Sequence, residues 1–441
     1  MDLNTLSEII NIKDVKNIND NTIFDYFRIT KYNDDSILKE KNNILFFPVT
    51  ITKNDLKDGW YISEYDLRPK INDVANNNPS YYYVIEENMV KDMPVGSKYI
   101  VVDNIMDSIN KIFQKKLSDY KGKIICVTGS VGKTTTVGFI KQALGDKALR
   151  IYSKRITPLI LNNFVINFLN NDYDYFVAEA SLWYKNHIEY FSKTLKPDLA
   201  VLLNVCDEHI GIGDIKSISD ITKFKSLLLK YANNAIINNM DDELKKLDIR
   251  DGMVYYNGEE VVNTNALNVI KINDYNKLVE PYIKTKLTLL EETIAFEVAK
   301  FYKVDDYTIL NRLNNAQTVE NRVVKEKVYD HDVIFDGDVS GVARFNNFAD
   351  HYYTKSCLVI CNLTEDGEEN EPYEKLNSII DKFDEVYVYE DFKKYFNNDK
   401  IIYFNNLDFI KDIPKDTMIF MHYGSYYRVY NDFNVNKVGK R

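Results

Sequence analysis

No block of lysines and arginines stands out in this 441-residue chain, whose formal net charge is −10. Nucleic-acid binders neutralise phosphates with clustered basic side chains, so the chain is not expected to bind nucleic acid. Only the stretch Lys437 to Arg441 is locally basic. Cysteine is scarce, with Cys126, Cys206, Cys357 and Cys361 alone. No pair has zinc-finger spacing and most sit in apolar, strand-like runs, which predicts buried free thiols in a reducing compartment. The N-terminus is polar with no secretory pattern, and no apolar run is long enough to cross a bilayer. These absences predict a cytoplasmic protein without membrane insertion. Internal repeats and low-complexity linkers are also missing.

What is present describes a folded α/β protein. Hydrophobic residues make up 45% and charged residues 28% of the chain, which excludes extended disorder, and 33 tyrosines add bulk to surface and core. The length exceeds one ordinary core and predicts two or three domains. Residues 1–118 alternate short apolar runs such as Tyr81-Tyr82-Tyr83-Val84-Ile85 with Asn- and Asp-rich turns, as a small α/β domain does. From residue 119 to 322, apolar strands at 124–127, 175–178, 199–204 and 235–238 alternate with helical stretches, the first running to about Leu144. That pattern predicts a parallel sheet covered by helices. Residues 323–441, with strands near 332–335, 356–361, 385–389 and 417–421, read as a smaller Rossmann-like α/β domain.

One stretch carries chemistry on its face. In "IICVTGSVGKTTT" an apolar strand runs into Gly129, Ser130, Val131, Gly132, Lys133, Thr134 and Thr135. A Walker loop places four residues between its first glycine and the Gly-Lys pair, whereas only Ser130 and Val131 separate these glycines. The physics of anion binding survives the shortening. Glycines let backbone N–H groups approach phosphate oxygens, the helix N-terminus favours negative charge, Lys133 reaches the terminal phosphates and Thr134 can ligate Mg²⁺.

The shortened loop resembles the Gly-Thr-x-Gly-Lys-Thr signature of the Mur ligase family, ATP-dependent amide-bond ligases of cell-wall peptide synthesis and their folylpolyglutamate synthase relatives. Further resemblances follow in order. "VAEAS" holds Glu179 and Ser181 where the family carries a Glu that helps bind Mg²⁺. "KPDLAVLLNVCDEHIG" resembles the Asn-to-His segment, giving Asn204 and His209, a metal ligand in the family. "ITKFKSLLL" resembles the helix whose lysine is commonly carbamylated; Lys225 is the first choice and Lys223 the second. "AIINNMDDEL" resembles the Asn-x-Asp-Asp turn and supplies Asn239, Asp241 and Asp242. "ENRVV" resembles the hinge before the C-terminal domain, with Arg322 retained, and "VIFDGDVSGVARF" places Asp336 at the nucleotide segment. "NLTEDGEENEPYEKL" and "MIFMHYGSYYRV" resemble C-terminal segments of the branch that adds D-alanyl-D-alanine.

The resemblance implies a three-domain α/β architecture with a central P-loop parallel sheet. It implies ATP and Mg²⁺ as cofactors, held by Gly129 to Thr135, Glu179, His209, Lys225, Arg322 and Asp336. It also implies a small-molecule or nucleotide-sugar peptide donor and an amino-acid or peptide acceptor. Departures are equally visible. Val131 replaces the usual Asn, "KLTLLEETIAF" replaces a helix opening with His-Asn, and Tyr423-Gly424-Ser425-Tyr426 lacks the two cations of Lys-Gly-Ser-Arg. The expected activity is an amide ligase acting through an acyl phosphate on a cell-wall or surface-glycan precursor. Two alternatives stand beside it: a poly-γ-glutamate or folylpolyglutamate type of ligase, and an ATP-binding protein without ligase activity. Asn162 and Asn163 in "LILNNFVINF" are candidate substrate contacts, and His187 reads as structural.

Overall fold

The computed structural model describes residues 1–29, 41–151, 156–207, 209–264, 267–281, 283–316, 324–336, 345, 348–363 and 376–422. Three larger sheets organise them. The first contains β1 (Ile12–Lys16), β2 (Tyr26–Arg28), β3 (Ile44–Phe46), β4 (Tyr82–Glu86) and β5 (Lys98–Val102) in the order β1-β5-β4-β3-β2. Only β1 runs antiparallel to its neighbour. Helix α1 (Ile105–Asp119) follows β5, capped by the Asn104 side chain on Asp107 N–H.

The second sheet is entirely parallel, as the alternation of strands and helices predicts. Its strands are β6 (Lys123–Thr128), β7 (Ala148–Arg150), β8 (Tyr175–Glu179), β9 (Leu199–Leu202), β10 (Asn234–Asn238) and β11 (Asn268–Ile272), ordered β11-β10-β9-β6-β8-β7. After β6 the chain fills one side with β7 and β8, then crosses to β9 on the other. The switch point therefore lies at the carboxyl end of β6, where open parallel sheets leave a crevice. The crossovers include α2 (Lys133–Leu144), α3 (Pro158–Phe168), α4 (Lys185–Leu195) and α5 (Ile218–Ser226).

Strand alternation decides which core each side chain enters. Ile125 and Val127 face α2 and α6 (Lys286–Phe301), packing with Val137, Ile140, Ile294 and Phe296. Cys126 faces the opposite way into a cluster shared with the first sheet and its helix, including Val84, Ile100 and Ile109. One continuous apolar core thus joins the N-terminal sheet to the central one. Two asparagines of α3 strengthen that joint. Asn167 receives Phe27 N–H at 2.8 Å and donates to Phe27 O at 2.9 Å, standing in for a neighbouring strand at the edge of β2. Asn163 accepts Ile29 N–H at 3.2 Å and donates to the Tyr26 hydroxyl, while Asn162 donates to Asn110. Asn162 and Asn163, considered above as substrate contacts, are engaged in bracing one sheet against the other.

The third sheet is β12 (Val324–Val328), β13 (His331–Asp336), β14 (Ser356–Ile360), β15 (Glu385–Tyr389), β16 (Ile401–Phe404) and β17 (Met418–His422), in the order β12-β13-β17-β14-β15-β16. All neighbours except β12 and β13 are parallel. It carries its own apolar clusters on both faces. The segment leading into α6 is stitched to this part of the chain: Thr285 bridges His351, Lys286 N–H donates to Asp350 O at 2.9 Å, and Ile283 lies in the third sheet's core. Among the described residues no helix is long and apolar enough to cross a membrane. All four cysteines are free; Cys126, Cys357 and Cys361 are buried and Cys206 is partly so.

Candidate active site

The sequence "TGSVGKTTT" turns tightly because Gly132 adopts φ 80°, the left-handed region in which only glycine is at ease. A side chain there would run into the Glu291 carboxylate of α6 and the Leu203 side chain. The turn hands the chain to α2, whose first N–H groups have no intrahelical partner. Lys133 folds back over the loop, donating from Nζ to Gly129 O at 2.8 Å and Ser130 O at 2.7 Å. Thr134 Oγ1 donates to Glu179 Oε2 at 2.7 Å, and both residues are buried. Glu179 reaches the loop because it ends β8, in register with Val127 one strand away.

Asn204 follows β9 on the loop's other flank. Its side-chain oxygen accepts Ser130 N–H at 2.9 Å and Val131 N–H at 3.0 Å, and its amide donates back to Val131 O at 3.0 Å. Cys206 N–H donates to Ser130 Oγ at 3.0 Å, continuing the seam. Asp241 fixes the same segment from behind by accepting Val205 N–H at 3.0 Å, along with the N–H groups of Glu243 and Leu244. Asn239 bonds Asn273, and Asp242 pairs with Lys245 at the surface, so neither reaches the loop through these bonds. Asn204→Ala is expected to lower stability by roughly 1–3 kcal/mol, the cost of leaving part-buried donors unmade. Chemical denaturation of the variant measures this.

His209 sits beyond Asn204 with φ 62° and is tilted against the Trp183 ring, centroids 4.6 Å apart. Burial, then the nearby ammonium groups of Lys225 and Lys133, pull its pKa down to about 3, so the imidazole is neutral at physiological pH. The linkage has a definite sign. The unfolded imidazole takes up a proton near pH 6.5 and the folded one does not until about pH 3, so the native state loses stability as pH falls through that window. Compared with His209→Gln, the wild type should lose up to about 1.4 kcal/mol per pH unit below pH 6.5. Urea midpoints measured between pH 7 and 5 test this; parallel curves would reject it.

The two lysines of α5 separate cleanly. Two helical positions are about 200° apart, so they face opposite ways. Lys225 shares a face with Ile221 and is 2% exposed. Lys223 points outward to Glu259 at 2.5 Å. Of the remaining candidates, Asp336 ends β13 beside His422 in β17, while Arg322 and residues 423–426 lie outside the described residues. Ser181 follows Glu179 in the turn after β8.

The gathered groups suit a nucleotide phosphate with Mg²⁺. The glycine turn and helix start provide N–H groups, Thr134 and Glu179 supply hard oxygens 2.7 Å apart, and His209 is neutral. Among the described residues there is no cluster of three His, Cys, Asp or Glu side chains poised around a metal.

A parallel sheet delivering its central strand into a shortened glycine turn, with a lysine, a threonine and a neighbouring strand's glutamate at its carboxyl edge, defines a phosphate-loop α/β protein. In this chain, residues 127–271 match the Mur ligase middle domain. It is 27% identical over 257 residues to the Coenzyme F(430) synthetase of Methanocaldococcus jannaschii, covering 53% of this chain and 56% of the relative. It is 28% identical over 149 residues to the UDP-N-acetylmuramoyl-tripeptide--D-alanyl-D-alanine ligase of Rickettsia prowazekii, covering 32% of each. These matches thus span between about a third and a little over half of the relatives' lengths. The MurF ligase of Thermotoga maritima, solved in complex with ADP, shares the fold with a TM-score of 0.65 and 20% identity over 92% of this chain and 96% of that one.

Proposed function

We propose that this chain is an ATP- and Mg²⁺-dependent ligase that joins the amine of an amino acid or short peptide to a carboxylate on a cell-wall or surface-glycan precursor. The observation that supports it most is the Thr134–Glu179 pair set beside Lys133, with a neutral His209 and a buried Lys225 nearby. The relatives named as ligases or a synthetase add to this. In this reading residues 1–118 hold the donor, 119–322 the nucleotide, and 323–441 close over both, bringing Arg322 and Asp336 to ATP.

The chemistry requires a poor electrophile to become a good one. Transfer of the γ-phosphate to the donor carboxylate gives an acyl phosphate, which the amine attacks with loss of phosphate. Lys133 leaves the two loop carbonyls to meet phosphate oxygens, placing its charge where the transferring group gathers negative charge. Thr134 and Glu179 would hold one Mg²⁺, and His209 with Lys225, carbamylated, would hold a second; the metal would supply charge neutralisation at the phosphates. Carbamylation replaces a buried cation beside His209 by an anion, which suits a metal-facing position. Asn204 keeps the loop in shape throughout.

The donor class is the open part of this reading, because one relative is named for a coenzyme and another for a muramoyl tripeptide. Phosphate release from ATP and Mg²⁺, assayed with UDP-muramoyl peptides as donors and D-Ala-D-Ala, single amino acids or glutamate as acceptors, tests it. Release that needs both donor and amine is the expected result. ATP binding without donor-dependent release across this panel would move the donor outside the muramoyl class; release independent of any amine would overturn the ligase reading.

A further inference from the structure

Tyr184 occupies the N-cap position of α4, where a serine, threonine, aspartate or asparagine would satisfy the first helical N–H groups, and it makes no side-chain capping bond. Its ring is used elsewhere. It fills a slot between two glycine backbones that belong to distant parts of the chain. A Cβ on Gly59 would run into the ring edge, and a Cβ on Gly213 would lie 2.6 Å from Cδ1. Both glycines have positive φ, 65° and 53°, so their turns are shaped to leave that slot open.

The two walls of the slot lead to different places. Gly59 lies in the N-terminal turn 58–60, which is fastened to α4: Trp60 stacks on His187 with centroids 3.6 Å apart, and His187 Nε2 donates to Asp58 O at 2.6 Å. Gly213 lies in the loop that carries His209. That loop is built from backbone turns, with Ile212 N–H donating to His209 O at 3.1 Å and Gly211 N–H to Ile215 O at 2.8 Å. Three of its residues, His209, Gly211 and Gly213, hold positive φ. A non-glycine residue held at φ 62° persists where its surroundings determine it, and such positions are held by their neighbours. The preceding residue, Trp183, supplies a neighbour directly by lying against the His209 ring.

We propose that Trp183 and Tyr184 are positioning residues for His209. Trp183 orients the imidazole, and Tyr184 locks its loop against the N-terminal turn, so that the placement of the N-terminal sheet sets the metal-facing geometry. The inference rests on the reading of His209 as a metal-facing ligand given above. The Asn163 and Asn167 brace holds the same two sheets together elsewhere, so losing the Tyr184 ring loosens the loop without freeing the sheets.

Mn²⁺, a paramagnetic stand-in for Mg²⁺, reports on this without turnover when titrated by electron paramagnetic resonance into the full-length protein saturated with ADP. Trp183→Leu and Tyr184→Ala are expected to weaken Mn²⁺ binding about 10-fold while metal-free ADP affinity changes by less than about twofold, and Tyr184→Phe should bind as the wild type does. Thermal unfolding identifies any variant that fails to fold, and Trp183→Leu alone then decides the matter. Unchanged Mn²⁺ affinity in folded Trp183→Leu and Tyr184→Ala, with a loss in His209→Ala, overturns the positioning role. Unchanged affinity in His209→Ala as well shows that the ligand assignment itself is at fault, and the positioning role falls with it.

Discussion

Lys133→Ala should abolish ATP turnover, with kcat falling at least 10²–10³-fold, the magnitude lost when one donor aimed at developing charge is removed. The expectation rests on position. Lys133 opens α2 directly after the left-handed Gly132, and its ammonium already lies over the loop, bonded to Gly129 O and Ser130 O. The alanine keeps the helix, since Ala is the best helix former, so the fold should survive the change. Phosphate release measured with saturating donor and amine is the decisive assay. Normal turnover in Lys133→Ala would refute the nucleotide assignment of the glycine turn.

Lys225→Ala is expected to lose about 100-fold in activity, in the range seen when a group that supports metal binding is removed. The variant should regain part of that activity when bicarbonate or a short-chain carboxylic acid is added. Lys225 is 2% exposed, and shortening it leaves a space in which a small carboxylate can stand where the carbamate would be. Lys223→Ala is the matched control: its side chain reaches Glu259 at the surface, and exposed pairs contribute little to stability. Rescue seen with Lys225→Ala and not with Lys223→Ala supports a carbamate. Full activity in Lys225→Ala without additive would sink it.

Much of the central sheet was legible from local pattern. The apolar run 124–127 ending in a glycine turn can hardly be other than a strand meeting a helix start, and the observed β6 and α2 bear that out. The spacing of apolar runs likewise forecast a parallel sheet, because only helical crossovers fit between them. Expected strand limits differ by a residue or two, as at 199–204, where the strand ends at Leu202 and Asn204 is released to grip the loop. Other features left no local mark. Nothing near Asn163 or Asn167 shows that they complete the edge of β2, since their partners lie 134 and 140 residues earlier. Glu291 stood out only as part of an altered helix, and its packing on Gly132 depends on how α6 lies across α2.

The sequence alone determined the strand-turn-helix order, the glycine turn that only glycine can make, and the succession of Lys133, Thr134, Glu179, Asn204, His209 and the α5 lysines. Those features depend on backbone preference and on the periods of strand and helix, which act over a few residues. Tertiary structure decided which of these side chains meet. It buried Lys225 and exposed Lys223 by choosing the face of α5 that packs inward, brought Glu179 and Asn204 to opposite flanks of one loop, and fitted Tyr184 between Gly59 and Gly213. These outcomes follow from packing among residues tens to more than a hundred positions apart, where shape complementarity rather than local propensity sets the energy.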